Sequence, residues 1–235
     1  MGGAFFTLLR RLVLAVIALA VLLAGVIYIF GPHASVATAY AAYKSAYDAR
    51  DGATVARMTA PDGIVSFDAQ RKRALTASRQ AVAALSFRER GEVLGLRSQV
   101  LSGSLPLDVL SNPDTAAAYA AYVRHLPAKP SPLPAGILFA VPTGSGSARG
   151  YLDPAPGSGY ALVTGLIVLA WGMYGEFEKA PEGWQVDMTP ALVSSASENE
   201  RLAVRMEPTG NSYIFQMLGA ADAAAQDRLW QPLQQ

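Results

Sequence analysis

The chain has 235 residues, of which 51% are hydrophobic and only 16% are charged, and this length accommodates one medium-sized domain with appendages. Cys is absent and His occurs twice, which excludes a disulfide framework, a thiolate nucleophile, a Cys-built zinc site and a histidine cage. From residue 34 onward, 17 basic residues stand against 18 acidic ones, so the concentrated positive field that phosphate binding needs is missing. We therefore expect no nucleic acid as a partner and no metal or organic cofactor.

The first distinctive segment is an uncharged apolar run over residues 12–30, LVLAVIALAVLLAGVIYIF. As a helix it is about 28 Å long, close to the ~30 Å hydrocarbon core of a bilayer. Arg10 and Arg11 precede the run, whereas the next basic residue on its other side is Lys44. This asymmetry predicts a cytoplasmic tail over residues 1–11, a transmembrane helix over 12–30 and an exported remainder.

A cleaved signal peptide is the alternative for this segment. Residues 37–39, Ala-Thr-Ala, have the small-x-small pattern of a cleavage site. The apolar run is longer than the roughly 7–15 residues usual in signal peptides, and the site lies nine residues beyond it. We therefore expect an uncleaved, single-pass anchor in the inner membrane, with the bilayer as a partner through residues 12–30 and the domain on the periplasmic side.

Residues 35–126 have the spacing of a helical half. Apolar side chains spaced by four, three and four residues lie on one face of the first helix: Val36, Tyr40, Tyr43 and Tyr47. An Arg-Asp-Gly turn at residues 50–52 precedes a short helix over 53–58. Further helices are expected over 69–85, 87–101 and 112–126, with Asn112 as the N-cap of the last and Pro113 as its first helical residue.

A Pro-rich connector over residues 127–136 separates this half from a sheet half over residues 137–190. After the connector the apolar period becomes two, and Gly, Ser and Pro divide the segments. Strands are expected over 137–141, 148–153, 160–179 and 184–188. A C-terminal tail over residues 191–235, with one helix, follows.

The last two strands predict a hairpin. If Ala180 to Gly183 form its loop, the paired residues are Lys179 with Trp184, Phe177 with Val186, and Glu176 with Asp187. The expected buried face then carries Phe177, Trp184, Val186 and Met188. The expected polar face carries Glu176, Glu178, Gln185 and Asp187. We expect Trp184 to be structural.

The combination of a Tyr-striped first helix, an Arg-Asp-Gly turn with a short second helix, and a late hairpin reading EGWQVDMTP resembles the nuclear transport factor 2-like superfamily. This is the cone-shaped α+β fold of ketosteroid isomerase and scytalone dehydratase. The resemblance covers residues 36–61 and 148–190. It implies helices that pack on a curved, mainly antiparallel sheet. The expected fold is therefore α+β, with an N-terminal transmembrane helix ahead of this domain.

Few residues are candidates for chemistry. Glu176 and Asp187 lie directly opposite each other in the hairpin register, an arrangement that holds a hard cation or a shared proton in some proteins. Both fall on the polar face, where water solvates them, so we expect neither to be catalytic. His125 is expected at the C-terminal end of a helix. The glycine-rich residues 144–150 fit no phosphate-binding pattern and are expected to form a turn.

Charge is distributed unevenly along the chain. Between residues 71 and 97 seven basic residues occur with two acidic ones, and between 176 and 227 nine acidic residues occur with three basic ones. We expect two solvated faces that attract each other. The alternative is a basic face that meets anionic headgroups or an acidic partner.

The sequence therefore favours a membrane-anchored, exported and non-catalytic domain that acts as a scaffold or binding module in a bacterial envelope. Its expected partner is an envelope protein or a second copy of the chain. The alternative function is a cone-fold enzyme or a binder of a small apolar ligand. In that alternative, the residues expected to line the ligand cavity are Tyr40, Tyr43, Tyr47, Trp171 and Met173.

Overall fold

The computed structural model describes residues 9–19, 21–22, 25, 31–126, 133–153 and 174–234, and for residues 191–198 it describes the backbone alone. Helices and one antiparallel sheet make up this part, which confirms the predicted α+β class. Residues 9–19, 21–22 and 25 are also helical. The later helices are α1 (His33–Asp48), α2 (Gly52–Met58), α3 (Pro61–Thr76), α4 (Arg79–Ala83), α5 (Phe87–Leu101), α6 (Leu107–Ser111), α7 (Thr115–Arg124), α8 (Thr189–Met206), α9 (Asn211–Met217) and α10 (Ala223–Trp230). The strands are β1 (Ile137–Gly144), β2 (Ser147–Leu152), β3 (Tyr174–Ala180) and β4 (Gly183–Asp187).

The prediction of a transmembrane helix over residues 12–30 is wrong. Within the described residues, no helix combines the length and the apolar character that a membrane crossing requires. Residues 20, 23–24 and 26–30 lie outside the described residues. The predicted location and partners of the domain stay predictions.

Side-chain caps explain why several helices begin where they do. Ser86 and Glu89 form a capping box at the start of α5, which matches the predicted helix over residues 87–101. The start predicted for α7 is wrong by two residues, because the carboxylate of Asp114, and not Asn112, accepts the N–H of Ala117 at 3.0 Å. At its other end α7 has His125 as the C-cap, as expected.

The sheet is an antiparallel meander in the order β1-β2-β3-β4. The predicted hairpin register is confirmed, with Glu176 opposite Asp187, Phe177 opposite Val186 and Lys179 opposite Trp184. The predicted turn over residues 144–150 is too long, because only residues 145–146 form the β1–β2 turn, with Gly146 at a φ of 87°, and residues 147–150 belong to β2. Residues 154–173 lie outside the described residues, so the strand predicted from 160 is described only from Tyr174.

One apolar cluster joins α1 to the sheet. Val36 and Tyr40 on α1 and Phe177 and Val186 on the sheet are all 0% exposed. The predicted stripe on α1 therefore faces the sheet. The alternative cleavage site at residues 37–39 lies inside α1, directly after the core residue Val36.

A second apolar cluster lies in the helical half. Its buried members come from α3, α4 and α5, from α6 and the loop before it, and from the C-terminal segment of α9 and α10. Tyr122 on α7 packs against both clusters and so connects the two halves. The tail predicted with a single helix contains α8, α9 and α10, and part of it belongs to the core.

Arg97 on α5 lies at the centre of the helical half and is 0% exposed. Its guanidinium donates five hydrogen bonds to backbone carbonyls at the C-terminal ends of α3 and α10. The acceptors are Arg73, Ala74, Ala77, Leu229 and Trp230, at 2.6–3.2 Å. Burial lowers the pKa of Arg97 to about 10, so the side chain is still a cation at neutral pH. All five donors of the guanidinium are used, which is what allows this charge to be buried.

The predicted solvated basic face is wrong for three of its seven basic residues, because these arginines point into the protein. Arg71, Arg90 and Arg97 are only 4%, 8% and 0% exposed and donate to backbone carbonyls. The expected attraction between the two charged regions is seen in the surface pair of Arg79 and Asp227, at 2.9 Å. These arginines connect segments inside the protein, because the N–H groups of the planar guanidinium match the positions of backbone carbonyls at helix ends.

Helix α3 connects the two halves. It begins at Pro61, directly after Thr59 and Ala60, which lie beside β4, and the N–H of Ala60 donates to the carbonyl of Val186 at 2.9 Å. At its other end, backbone carbonyls accept hydrogen bonds from Arg97. The start of α3 lies eight residues before the start predicted at residue 69, because Pro is favourable in the first turn of a helix.

Replacing Arg97 tests this arrangement. Arg97→Met is expected to lower the free energy of unfolding by about 3–5 kcal/mol, because five buried carbonyls lose their donor. Arg97→Lys keeps the charge but lacks the planar fork and should also destabilise. Arg57→Met, at an exposed ion pair, should cost less than about 1 kcal/mol. Urea unfolding measures all three, and an Arg97→Met protein within about 1 kcal/mol of the original would contradict the role of Arg97.

The acid stability of the protein should depend on Asp68. Hydrogen bonds from Lys72, Thr115 and Arg71 hold the pKa of Asp68 below its ordinary value. A carboxyl of this kind adds stability above its unfolded pKa of about 4, and this stability is lost as pH falls through its folded pKa. Asp68→Asn should therefore flatten the loss of unfolding free energy below about pH 4.

Glu92 should have the opposite effect on acid stability and therefore serves as a control for Asp68. Burial raises the pKa of Glu92, despite the ion pair with Arg88, so protonation of this group favours the folded state. Glu92→Gln should make the loss of stability in acid steeper. Equal slopes of unfolding free energy against pH for the two variants and the original protein would refute both assignments.

Candidate functional site

A groove lies between α1, α2 and the hairpin of β3 and β4, with a cavity volume of about 820 Å³. We call it the Trp184 groove after its largest side chain. The outer side of α1, the C-terminal half of α2 and the hairpin turn form its walls. Its lining residues are Ser35, Thr38, Ala39, Ala42, Thr54, Ala56, Arg57, Met58, Ala180, Pro181, Glu182, Gly183, Trp184 and Gln185.

The turn between α1 and α2 positions the second wall. Arg50 has a φ of 61°, which reverses the chain after α1, and the carboxylate of Asp51 caps α2 by accepting the N–H of Thr54 at 3.1 Å. A Cβ atom at Gly52 would lie 1.8 Å from the carbonyl oxygen of Ala120. Glycine at this position therefore lets α2 lie directly against α7.

The hairpin forms the third wall. Gly183 has a φ of 123°, a conformation that favours glycine, and it follows the two turn residues 181–182. Trp184 is half-buried, since one side packs against the core of the sheet half and another lines the groove. The side-chain amide of Gln185 donates to the carbonyl of Arg57 at 3.4 Å and connects the hairpin to α2.

The charges of the groove balance each other. Arg57 and Glu182 lie 3.8 Å apart at its rim, and their side chains are 56% and 73% exposed. Such a pair contributes about 0–1 kcal/mol and leaves little net field. The described lining offers hydroxyl groups but no imidazole or thiol. This arrangement suits the binding of apolar side chains.

A smaller cavity of about 290 Å³ lies where α3 begins, beside the polar face of the hairpin. Its carboxylates are Asp62, Glu176, Glu178 and Asp187. Glu176 pairs with Arg149 at 2.9 Å, and Asp187 accepts the N–H of Thr189 at 2.8 Å. Among the described residues, no group of acidic or His side chains is arranged to hold a metal ion. Glu176 and Asp187 thus have structural partners, and their predicted lack of a catalytic role stays a prediction.

Three of the five residues predicted to line a ligand cavity lie together on α1. Tyr40 is 0% exposed and donates from its hydroxyl to the carbonyl of Pro134 at 2.7 Å. Tyr43 is 3% exposed, and burial raises its pKa and that of Tyr47. Trp171 and Met173 lie outside the described residues. The tyrosines pack in the core of the sheet half, and their binding of a ligand stays a prediction.

The Trp184 groove was missed from the sequence. Residues 35–42, 54–58 and 180–185 meet only after folding. The available signal was the other side of α1, where Ser35, Thr38 and Ala42 recur at helical spacing apart from the tyrosines. That pattern alone is equally typical of a solvated surface.

Comparisons of the chain with protein-family models, with characterised proteins and with solved structures found no match. The site is therefore interpreted from its own residues.

Asp187 is expected to have a structural role at the start of α8. Asp187→Ala should lower the free energy of unfolding by about 0.5–1.5 kcal/mol, because the N–H of Thr189 loses its acceptor. Asp187→Asn keeps an acceptor oxygen and should cost less. The exposed neighbour Glu178 gives a control, since Glu178→Ala should change stability by no more than about 0.5 kcal/mol. Thermal and urea unfolding measure these effects, and equal stability of Asp187→Ala and Asp187→Asn would contradict the role of this hydrogen bond.

Proposed function

We propose that this chain is a non-catalytic binding module with a nuclear transport factor 2-like arrangement, and that its binding surface is the Trp184 groove. The sequence resemblance and the arrangement of α1, α2 and the antiparallel meander support the first part of the proposal. The geometry of the groove supports the second part.

The observation that carries the proposal is the filled interior of the sheet half. Tyr40, Phe177 and Val186 are all 0% exposed where α1 meets the sheet. A ligand between α1 and the sheet would have to displace these side chains, at the cost of their close contacts. The Trp184 groove, on the other side of α1, is open and needs no such displacement.

The lining of the groove favours an apolar partner surface. Met58, Pro181 and Trp184 offer apolar area, and the rim charges of Arg57 and Glu182 are mutually paired. Tryptophan is enriched among the residues that contribute most to binding in protein interfaces. We therefore propose a protein segment with apolar side chains as the partner class.

The proposal predicts where an apolar probe binds. In nuclear magnetic resonance titrations of the full chain with anilinonaphthalene sulfonate, the largest shifts among groove and core residues should occur at Thr38, Ala42 and the Trp184 indole. Ala42→Arg should abolish these groove shifts, because the new side chain occupies the groove.

A matched control is available on the same helix. Ala41 is exposed but does not line the groove, so Ala41→Arg should leave the shifts unchanged. Shifts that instead concentrate at Tyr40, Tyr43 and Tyr47, and that persist in Ala42→Arg, would reject the groove in favour of an internal ligand cavity.

A further inference from the structure

The two edge strands of the described sheet, β1 and β4, differ in regularity. The pairing of β1 with β2 shifts register twice, and Pro142 lies at the second shift. Irregular pairing and proline are devices that keep a strand edge from pairing with other chains. The pairing of β4 with β3 has no register shift, and β4 contains no proline. The edge of β4 therefore keeps the regular geometry that a further strand requires.

One end of the β4 edge is already paired within the chain. The N–H of Ala60 donates to the carbonyl of Val186 at 2.9 Å, and Thr59 forms a parallel bridge with Val186. The carbonyl of Val186 therefore points away from β3. Phe177 and Val186 are thus a pair of opposite residues that exchange no backbone hydrogen bonds. This pair fixes which backbone groups of β4 point outward.

The backbone of Trp184 points outward in the same way as that of Val186. Hydrogen-bonded and non-hydrogen-bonded pairs alternate along an antiparallel ladder, and the two residues are two positions apart. A second hydrogen bond agrees with this, because the N–H of Lys179, the residue opposite Trp184, donates to Gly146 at 2.7 Å and so points towards β2. Both the N–H and the carbonyl of Trp184 therefore lie on the free edge of β4.

This edge opens into the Trp184 groove. Helix α2 lies beside β4, and its residues Arg57 and Met58 line the groove together with Trp184. In the part of the chain that the structure describes, no group outside the hairpin forms a hydrogen bond with the backbone of Trp184. The groove thus offers a backbone donor and a backbone acceptor beside its apolar lining.

An extended peptide segment fits this combination of groups. It would donate to the carbonyl of Trp184 and accept from its N–H, and so would continue the edge pairing that Thr59 and Ala60 begin. Side chains opposite Trp184 would point to the same side of the sheet as the indole. A helix has its backbone groups bonded internally, so it would bury both groups of Trp184 without partners, which is unfavourable.

We propose that the Trp184 groove binds its partner as an extended segment, which pairs with the backbone of Trp184 and places an apolar side chain beside the indole. This inference rests on the proposed function, because it states how the same groove recognises its partner. The partner class is a protein segment that is exposed, extended and apolar at alternate residues.

The peptide acetyl-Leu-Thr-Leu-Thr-amide tests the inference on the full chain. It is too short for a helix, and its leucines share one face when it is extended. It should shift the signals of Thr38, Ala42 and Trp184, and at saturation should slow solvent exchange of the Trp184 backbone N–H at least tenfold. Ala42→Arg should abolish both effects, and Ala41→Arg should keep them. Groove shifts without slower exchange would overturn the inference.

Two N-methylated forms of the peptide separate backbone pairing from apolar contact. One form carries N-methyl groups on both leucines and the other on both threonines, so their side chains are identical. Backbone N–H groups of alternate residues face opposite edges of a strand, so only one form loses its donor to Trp184. We expect this form to bind at least tenfold more weakly. The leucine form would be the weaker one for a strand antiparallel to β4, and the threonine form for a parallel strand.

Equal affinities of the two methylated forms would overturn strand pairing. If anilinonaphthalene sulfonate still shifted the groove signals, the proposed function would remain intact. The opposite result is also distinguishable. Probe shifts that concentrate at Tyr40, Tyr43 and Tyr47 and persist in Ala42→Arg, together with selective loss of peptide binding in one methylated form, would support strand pairing at Trp184 and reject the groove as the apolar site.

Discussion

The buried guanidinium of Arg97 is the interaction on which the arrangement of the helical half depends. Carbonyl groups at a helix C-terminus lack partners within the helix and carry partial negative charge. In this protein the ends of α3 and α10 converge on one point, and Arg97 supplies five donors there. The carbonyls of two helix ends and the guanidinium of Arg97 thus satisfy one another, although each would be unfavourable if it were buried without a partner.

Helix α3 transmits this constraint to the sheet half. Its C-terminal end is fixed by Arg97, and the residues before its first turn are fixed by the hydrogen bond of Ala60 to Val186 on β4. Tyr122 gives a second connection, because it packs against both apolar clusters. The position of β4, and with it the hairpin wall of the groove, is therefore coupled to the core of the helical half.

The same use of arginine decides the character of the surface. Arg71, Arg90 and Arg97 donate to backbone carbonyls inside the protein, whereas many of the carboxylates remain on its surface. The described surface is consequently more acidic than the nearly balanced composition indicates. The Trp184 groove differs from that surface, because its rim charges pair with each other and its walls are mainly small or apolar. Apolar contact is therefore the basis of the binding that we propose for the groove.

The sequence alone determined those features that depend on neighbouring residues. Period-two alternation and a turn around Pro181 were sufficient for the hairpin register, and the Ser86 cap with Glu89 three residues later gives α5 its start. The side of α1 that faces the sheet followed from the spacing of Val36 and its tyrosines. Only the tertiary structure decided which arginines are buried, because a guanidinium is equally suited to water and to a cluster of carbonyls that long-range folding brings together. The groove depended on the tertiary structure for the same reason, since its hairpin wall lies more than 100 residues along the chain from its α1 and α2 walls, and its volume is the space left between them.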